Sequence, residues 1–246
     1  MSSLLCHIGG GGGYNSPDMS APFSIVIPTL NAAAELPETL NALMPGLERG
    51  MIRDLIVSDG GSTDATLEVA EAAGAVVVSG AKGRGGQLHR GAEAAKGEWL
   101  LFLHADTHLP PDWVGAAAVH RIGHPNLAAA FRLRFRAKGL APRIVASWAN
   151  LRSAALNLPY GDQGLLMSRD LYDYSGGYPD QPLMEDVAMA RALKGRIRLL
   201  DTFAATGAER YVQNGWLRQS LRNFGTLTRY SFGADPEELS KRYHKG

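Results

Sequence analysis

The sequence predicts an α/β protein built on a central, mostly parallel sheet with helices on both faces. Three observations carry this reading. Short buried apolar runs at 24–27, 55–58, 75–78 and 99–103 alternate with stretches of helical spacing. The runs end in turn chemistry, at Pro28, at Asp59-Gly60-Gly61-Ser62 and at Gly80. A length of 246 residues with an apolar fraction of 45% suits a single domain with a sizeable core.

The first run, 24–27, is a β-branched strand that ends at Pro28. A helix follows from about Glu35 to near Gly50, with Pro37 tolerated in its first turn. After the strand 55–58, the turn from Asp59 to Asp64 leads into a helix over 65–73, with Ser62 or Thr63 expected to cap it and Gly74 to stop it. The strand 75–78 gives way to a Gly-rich loop, 80–86, and a helix closing at Gly97. The strand 99–103 then delivers His104-Ala105-Asp106 to its C-terminal end. Ligands of such sheets sit outside the carboxyl ends of the strands, where Asp59 and Asp106 both lie.

Beyond Asp112 the pattern changes. Phe131, Leu133 and Phe135 alternate with Arg132, Arg134 and Arg136, which reads as a half-exposed strand with a solvated arginine face. A helix is expected over 144–156, then Tyr160-Gly161-Asp162-Gln163-Gly164 leading into 165–168, and helical segments at 185–193 and 216–230. Residues 1–20, with Gly9 to Gly13 and Cys6, are expected to be a disordered tail. The domain is expected over 21–246, with a donor half at 22–110, an acceptor half at 111–210 and C-terminal helices beyond.

Composition excludes some classes. A net charge of +1 gives no basic face for nucleic acid. One cysteine allows no disulfide within the chain, which fits a reducing compartment. No apolar run spans a bilayer, and the N-terminus lacks the pattern of a signal peptide. The expected location is cytoplasmic, with peripheral contact at the inner face of the membrane as an option. His104/His108 and His120/His124 have helical metal-pair spacing but lack any accompanying motif, and structural roles are favoured for His108, His120 and His124. There is no nucleophile elbow.

The order of three segments is the most specific signal: residues 24–31 ending in Pro28-Thr29-Leu30-Asn31, then Ser58-Asp59-Gly60-Gly61-Ser62-Thr63-Asp64, then Phe102-Leu103-His104-Ala105-Asp106. It resembles the nucleotide-binding half of family 2 glycosyltransferases. Gly176-Gly177-Tyr178 and Met184-Glu185-Asp186 resemble that family's acceptor-side motifs, so the likeness covers roughly 22–202. His104 to Thr107, Gly161 to Gly164 and Pro182 to Asp186 look closest to a bacterial subgroup labelled arsenosugar-biosynthesis type.

The resemblance implies the GT-A fold and inverting transfer of a sugar from a nucleotide-diphosphate donor, UDP-linked, to an acceptor hydroxyl. It implies a donor site from Pro28, Thr29, Asn31, Asp59, Arg84, Gln87, His104 and Ala105, with Asp59 reading a base N–H. It implies that Asp106 binds Mg²⁺ or Mn²⁺ against the diphosphate. Asp186 is implied as the general base, with Glu185 orienting it and Asp162 and Gln163 lining the acceptor pocket. The chain departs from the family's Asp-x-Asp at His104, which stands where the first acid belongs; an imidazole suits Mn²⁺ better than Mg²⁺, or contacts ribose or phosphate instead. The loop 80–86, with Lys82, Arg84 and a following helix N-terminus, suits an anionic donor.

Two other readings compete. A sugar-phosphate nucleotidyltransferase shares the architecture but places its Gly-rich loop just after the first strand. An inactive nucleotide-sugar-binding protein is suggested by His104. A dinucleotide-dependent oxidoreductase is disfavoured, since 29–35 lacks glycine. Near the C-terminus, Leu217, Leu221, Phe224 and Leu227 share a helical face beside Arg218, Arg222 and Arg229. This face is expected to pack onto the domain, with membrane-surface contact as the second reading. The sequence names neither the acceptor nor the oligomeric state.

Overall fold

The computed structural model describes residues 21–245, so the tail expected at 1–20, Cys6 included, lies outside the described residues. The first half is β1 (Phe23–Thr29), α1 (Leu36–Glu48), β2 (Ile52–Asp59), α2 (Thr66–Ala72), β3 (Val76–Ser79), α3 (Arg84–Ala94) and β4 (Trp99–Phe102). The middle is β5 (Thr107–His108), α4 (Trp113–Gly123), β6 (Ala128–Phe135), α5 (Leu140–Leu156), β7 (Leu165–Ser168) and α6 (Arg169–Tyr174). The last part is α7 (Glu185–Ala192), β8 (Ile197–Thr206), α8 (Glu209–Asn214), α9 (Trp216–Ser231) and α10 (Pro236–Lys245).

One eight-stranded sheet, in the order β3-β2-β1-β4-β7-β6-β8-β5, runs through both halves of the chain. β1 pairs parallel with β2 and β4, β2 with β3, and β6 with β8. β7 runs antiparallel between β4 and β6, and β5 antiparallel to β8. The sheet is therefore mixed and mostly parallel, as the sequence predicts. Pro28 is tolerated inside β1 because pairing with β4 stops at Val26, whose carbonyl accepts from Leu103 N–H. Two residues on, Pro28 faces the same side, where a missing N–H costs nothing.

Alternation along the strands divides the core between the two faces. Phe23, Ile25 and Ile27 meet α1 and α4, whose Trp113 is fully buried with its ring 6.2 Å from that of Phe23. Val26, Leu100 and Phe102 meet Leu88 of α3, Tyr172 of α6 and Met189 of α7. Truncating Trp113 or Phe23 to alanine is worth about 3–5 kcal/mol each. A smaller cluster at the far end joins Leu133 and Phe135 of β6 to Ala146 and Ala149 of α5, and to Tyr211 and Trp216.

Several local expectations are corrected. Ser62 and Thr63 do not cap α2; Asp64 accepts from the Thr66 N–H instead, and the Ser62 and Thr63 N–H groups are turned to Asp59 and Asn31. α5 begins at Leu140, earlier than expected, with Pro142 in its first turn. α3 begins inside the Gly-rich run. Its glycines serve close packing, since a Cβ at Gly85 would strike the Pro179 carbonyl and one at Gly91 would strike Val26. The Gly85 N–H donates to Gln181 O at 3.2 Å, so it does not point at an anion.

Arg132 and Arg134 of β6 and Arg136 just past it are exposed as expected, yet partnered: Arg132 lies 3.2 Å from Asp201, Arg134 stacks 3.6 Å over the Phe203 ring, and Arg136 lies 2.6 Å from Glu35. On α9 the expected packing of Leu217, Leu221 and Phe224 is not observed, and all three are exposed. Gln219 and Thr226 face inward instead. His120 is buried against the Leu127 carbonyl at 2.8 Å, and His124 lies beside Arg198.

Candidate active site

A cleft of about 720 Å³ opens at the C-terminal ends of β1 and β4. β1 and the turn after it contribute Pro28, Thr29 and Asn31, and α3 contributes Arg84 and Gln87. His104, Ala105 and Asp106 follow β4, Asp162 comes from a 3-10 turn at Gly161–Gln163, and Asp186 comes from α7. Asp59, Glu185 and Gln163 do not line the cleft; they lie behind its wall.

At the β1 end, Asn31 adopts a left-handed backbone with φ 52°. Its N–H donates to Ser62 Oγ at 2.8 Å and its Oδ1 accepts from the Thr63 N–H at 2.8 Å, clamping the turn after β2 onto the turn after β1. Asp59 is 1% exposed and fully occupied. Its Oδ1 accepts from the Thr29 and Ser62 hydroxyls at 3.0 and 2.5 Å, and its Oδ2 from the Gly61 and Ser62 N–H groups at 2.7 and 2.8 Å. Burial pushes this carboxyl up, and the bonds from Ser62, Gly61 and Thr29 together outweigh it, leaving it below its usual range. A base N–H reaches Asp59 only by displacing one of the two hydroxyls. Gln87 ties the strand ends together, its Nε2 donating to Thr29 O at 2.7 Å and Ser58 O at 3.0 Å.

At the centre, burial and then the nearby Arg84 and Arg210 depress the His104 imidazole to about 3, so the ring is neutral at physiological pH. Its Nε2 is turned to Gly161, where an added Cβ would lie only 2.5 Å away. The Gly161 N–H in turn donates to Asp186 Oδ2 at 2.8 Å, and the Val187 N–H to Oδ1 at 2.7 Å. A residue larger than glycine at 161 would push His104 and Asp186 apart.

Met184, at φ 63°, holds a left-handed conformation that is costly for its side chain. This turn sends the next two acids different ways. Asp186 enters the cleft, whereas Glu185 is buried and bonds Arg84 Nη1 at 3.2 Å. Burial raises the Glu185 pKa, Arg84 opposes that, and its Oε2 has no partner. Its direct contact is thus with Arg84, which it anchors at the cleft edge. Gln163 is fully buried, accepting from Ser153 Oγ at 2.7 Å and donating to Phe131 O at 2.9 Å.

The cleft also contains residues that the sequence reading did not single out: Tyr160, Glu209, Arg210, Tyr211, Gln219 and Asn223. The Glu209 carboxylate closes on the Cβ position of Gly207, and Asp106 Oδ2 approaches the same point at 3.2 Å. Two carboxylates thus converge beside a glycine that leaves them room. The only signal for this was a Gly-Ala-Glu-Arg turn just past a strand end, readable once β8 is recognised as a strand.

Asp162 is strongly disturbed by its surroundings. Burial raises it from an ordinary 3.8 to about 7; Arg152 opposes the rise, and Asp186 and Asp106 add to it. Its Oδ1 is buried with no hydrogen-bond partner. A carboxyl whose folded pKa is raised holds its proton longer in the folded state than in the unfolded one. Its cost to stability is therefore absent below about pH 4 and grows until pH passes about 7. Asp162→Asn is expected to stabilise the protein at pH 8 by on the order of 2 kcal/mol and to change little at pH 4. Denaturant titrations at the two pH values measure this; an equal gain at both would remove titration as its source.

Comparison with known proteins places this geometry. The family model for glycosyl transferase family 2 matches residues 24–155. A PGL/p-HBAD biosynthesis glycosyltransferase of Mycobacterium tuberculosis is 41% identical over 101 residues, which is 37% of this chain and 38% of the relative. A glucosyl-3-phosphoglycerate synthase of the same species is 36% identical over 92 residues, 34% of this chain and 28% of the relative. The matches thus span well under half the length of these relatives.

Among solved structures, S. aureus TarS 1-349 in complex with UDP aligns with a TM-score of 0.61 at 19% identity, over 76% of this chain and 60% of that one. Glucosyl-3-phosphoglycerate synthase from Mycobacterium tuberculosis with Mn²⁺ and UDP-glucose aligns with a TM-score of 0.54 at 24% identity, over 76% and 70%. These likenesses establish the shared GT-A fold. With the family match covering more than half of the sequence, the chain belongs to glycosyl transferase family 2.

Proposed function

We propose that the protein transfers a sugar from a UDP-linked donor to an acceptor hydroxyl, with inversion at the anomeric carbon. The observation that carries this reading is the convergence of Asp106, Arg84 and Asp186 in one cleft at the C-terminal ends of the parallel strands. Solved neighbours lend support: TarS is described with UDP-GlcNAc, and glucosyl-3-phosphoglycerate synthase with Mn²⁺ and UDP-glucose or Mg²⁺ and UDP.

In this reading Pro28, Thr29 and Asn31 form the floor for base and ribose, with Asp59 and Gln87 holding that floor in shape. Ala105, whose carbonyl accepts from Thr39 Oγ1 at 2.6 Å, fixes the turn that carries Asp106. Asp186 takes the acceptor hydroxyl's proton as that oxygen bonds to the anomeric carbon. The bond to the diphosphate breaks on the opposite face, and its electron pair leaves on the diphosphate oxygen. Arg84, anchored by Glu185, and Arg210 stabilise the negative charge that collects there. Neutral His104 keeps the Gly161 turn, and so Asp186, at a fixed distance from Asp106. Asp162 lines the acceptor side.

The residues present fit a divalent cation. Two hard carboxylate donors, Asp106 and Glu209, approach one point and would hold Mg²⁺ or Mn²⁺. Such a cation supplies positive charge to the leaving diphosphate. A matrix of UDP-, GDP- and TDP-sugars against hydroxylated acceptors tests the reading, with nucleotide release as the readout. UDP release that requires an acceptor and a divalent cation is expected. Tight UDP binding with no release from any pair would favour a binding protein instead.

A further inference from the structure

We propose that the outer faces of α5 and α9 dock on an anionic lipid bilayer. On α5, Leu140, Ile144, Trp148 and Leu151 recur at helical spacing and are each 58–74% exposed. On α9, Leu217, Leu221 and Phe224 do the same at 60–74%. The two helices pack beside each other. A soluble surface seldom carries two such rows on neighbouring elements. Their inner faces are already satisfied, by Ala146 and Ala149 on α5 and by Gln219 and Thr226 on α9.

Charge selects the occupant. Neither helix contains an Asp or Glu, while Arg143, Arg218 and Arg229 are exposed and form no ion pair among the described residues. A two-fold pairing of this face with a second copy would set like charges against each other. An anionic bilayer meets both features at once, taking the apolar rows into its boundary and the guanidinium groups at its headgroups. Trp148 is of the type that favours that boundary. No helix among the described residues is long and apolar enough to cross a membrane, so the contact is peripheral. Gln219 and Asn223 of α9 line the cleft from the other side of the same helix. Resting on the transfer reading above, this places the acceptor side near the bilayer surface.

Co-sedimentation with phosphatidylglycerol vesicles and with phosphatidylcholine vesicles tests the proposal, with UDP binding measured in parallel. The full chain is expected to sediment with the anionic vesicles and to be released by high salt. Trp148→Ser with Phe224→Ser should lower the partition at least tenfold, and Arg143→Ser and Arg218→Ser about fivefold each. All four sites are exposed, so folding and UDP binding should be unchanged. Failure to sediment with anionic vesicles overturns the docking face, as does a dimer that the Trp148/Phe224 variant dissolves without any vesicle binding. Loss of UDP binding in the unmodified chain overturns the transfer reading instead.

Discussion

Asp186→Asn is expected to lower turnover of the donor by about 10²–10⁴-fold while leaving UDP affinity nearly unchanged. The amide keeps the shape of the carboxylate, and its oxygen can still accept from the Gly161 or the Val187 N–H. One of the two N–H groups then faces an NH₂, a cost on the order of 1 kcal/mol that the fold tolerates. What is lost, on the proposed assignment, is the atom that takes the acceptor's proton. The effect should fall on kcat, with KM for the donor steady, because Asp186 is bonded to the Gly161 turn and to α7 and not to the residues of the proposed base-binding floor. Normal turnover by this variant would move the role to the other carboxyl on that side, Asp162, whose pKa of about 7 suits a base. Steady-state kinetics of the two asparagine variants across pH 5–9, a range of roughly two units either side of that value, separates the assignments. The Asp186 variant should be slow throughout, and the Asp162 variant should change the acceptor KM.

The first half of the fold was legible because its strands are short, apolar and closed by turn residues; β1 and β4 appear within two residues of their expected places, and β2 begins three residues early, at Ile52. β8 was missed for a physical reason. Its burial alternates imperfectly, with Leu199 and Leu200 adjacent, and its partner β6 carries a register shift between Ala130 and Arg132. A bulged strand loses the period that identifies it. Missing β8 hid α8 behind it, and with α8 the residues Glu209 and Arg210.

Motif order marked loops that line the cleft but not which of their side chains reach it. Asp59 and Thr29 are distant in sequence, so the hydroxyl that occupies the carboxylate cannot be read locally. The same holds for Glu185. One left-handed residue, Met184, separates an acid in the wall from an acid in the cleft. In the Gly-rich run, spacing suggested an anion cradle, whereas Pro179 and Asp180 pack against two of its glycines, Gly85 and Gly86.

Asp106→Ala should weaken UDP binding at least tenfold in the presence of Mn²⁺, and Glu209→Gln should do the same to a smaller degree. In chelator both variants should bind UDP as the unmodified protein does, because neither carboxylate belongs to the proposed base-binding floor. Calorimetry with and without cation reads the difference. The paramagnetic resonance signal of Mn²⁺ added with UDP reads metal capture directly, without any turnover. The argument for Glu209 is one of charge. Asp106 alone offers a cation a single carboxylate, and the neighbouring His104 is neutral with its Nε2 turned to Gly161. The Glu209 carboxylate comes from a different element to the same point beside Gly207. Without a cation the two acids repel, so Glu209→Gln should raise the melting temperature in chelator and lose that advantage when Mn²⁺ and UDP are added. A variant equally stable in both conditions, with full Mn²⁺ capture, would leave Asp106 and the diphosphate as the whole site. The crossing of the two stabilities is the stronger sign, since mere repacking around Gly207 would shift both conditions alike. That crossing would mean that the acid absent at position 104 is supplied by Glu209 at the start of α8.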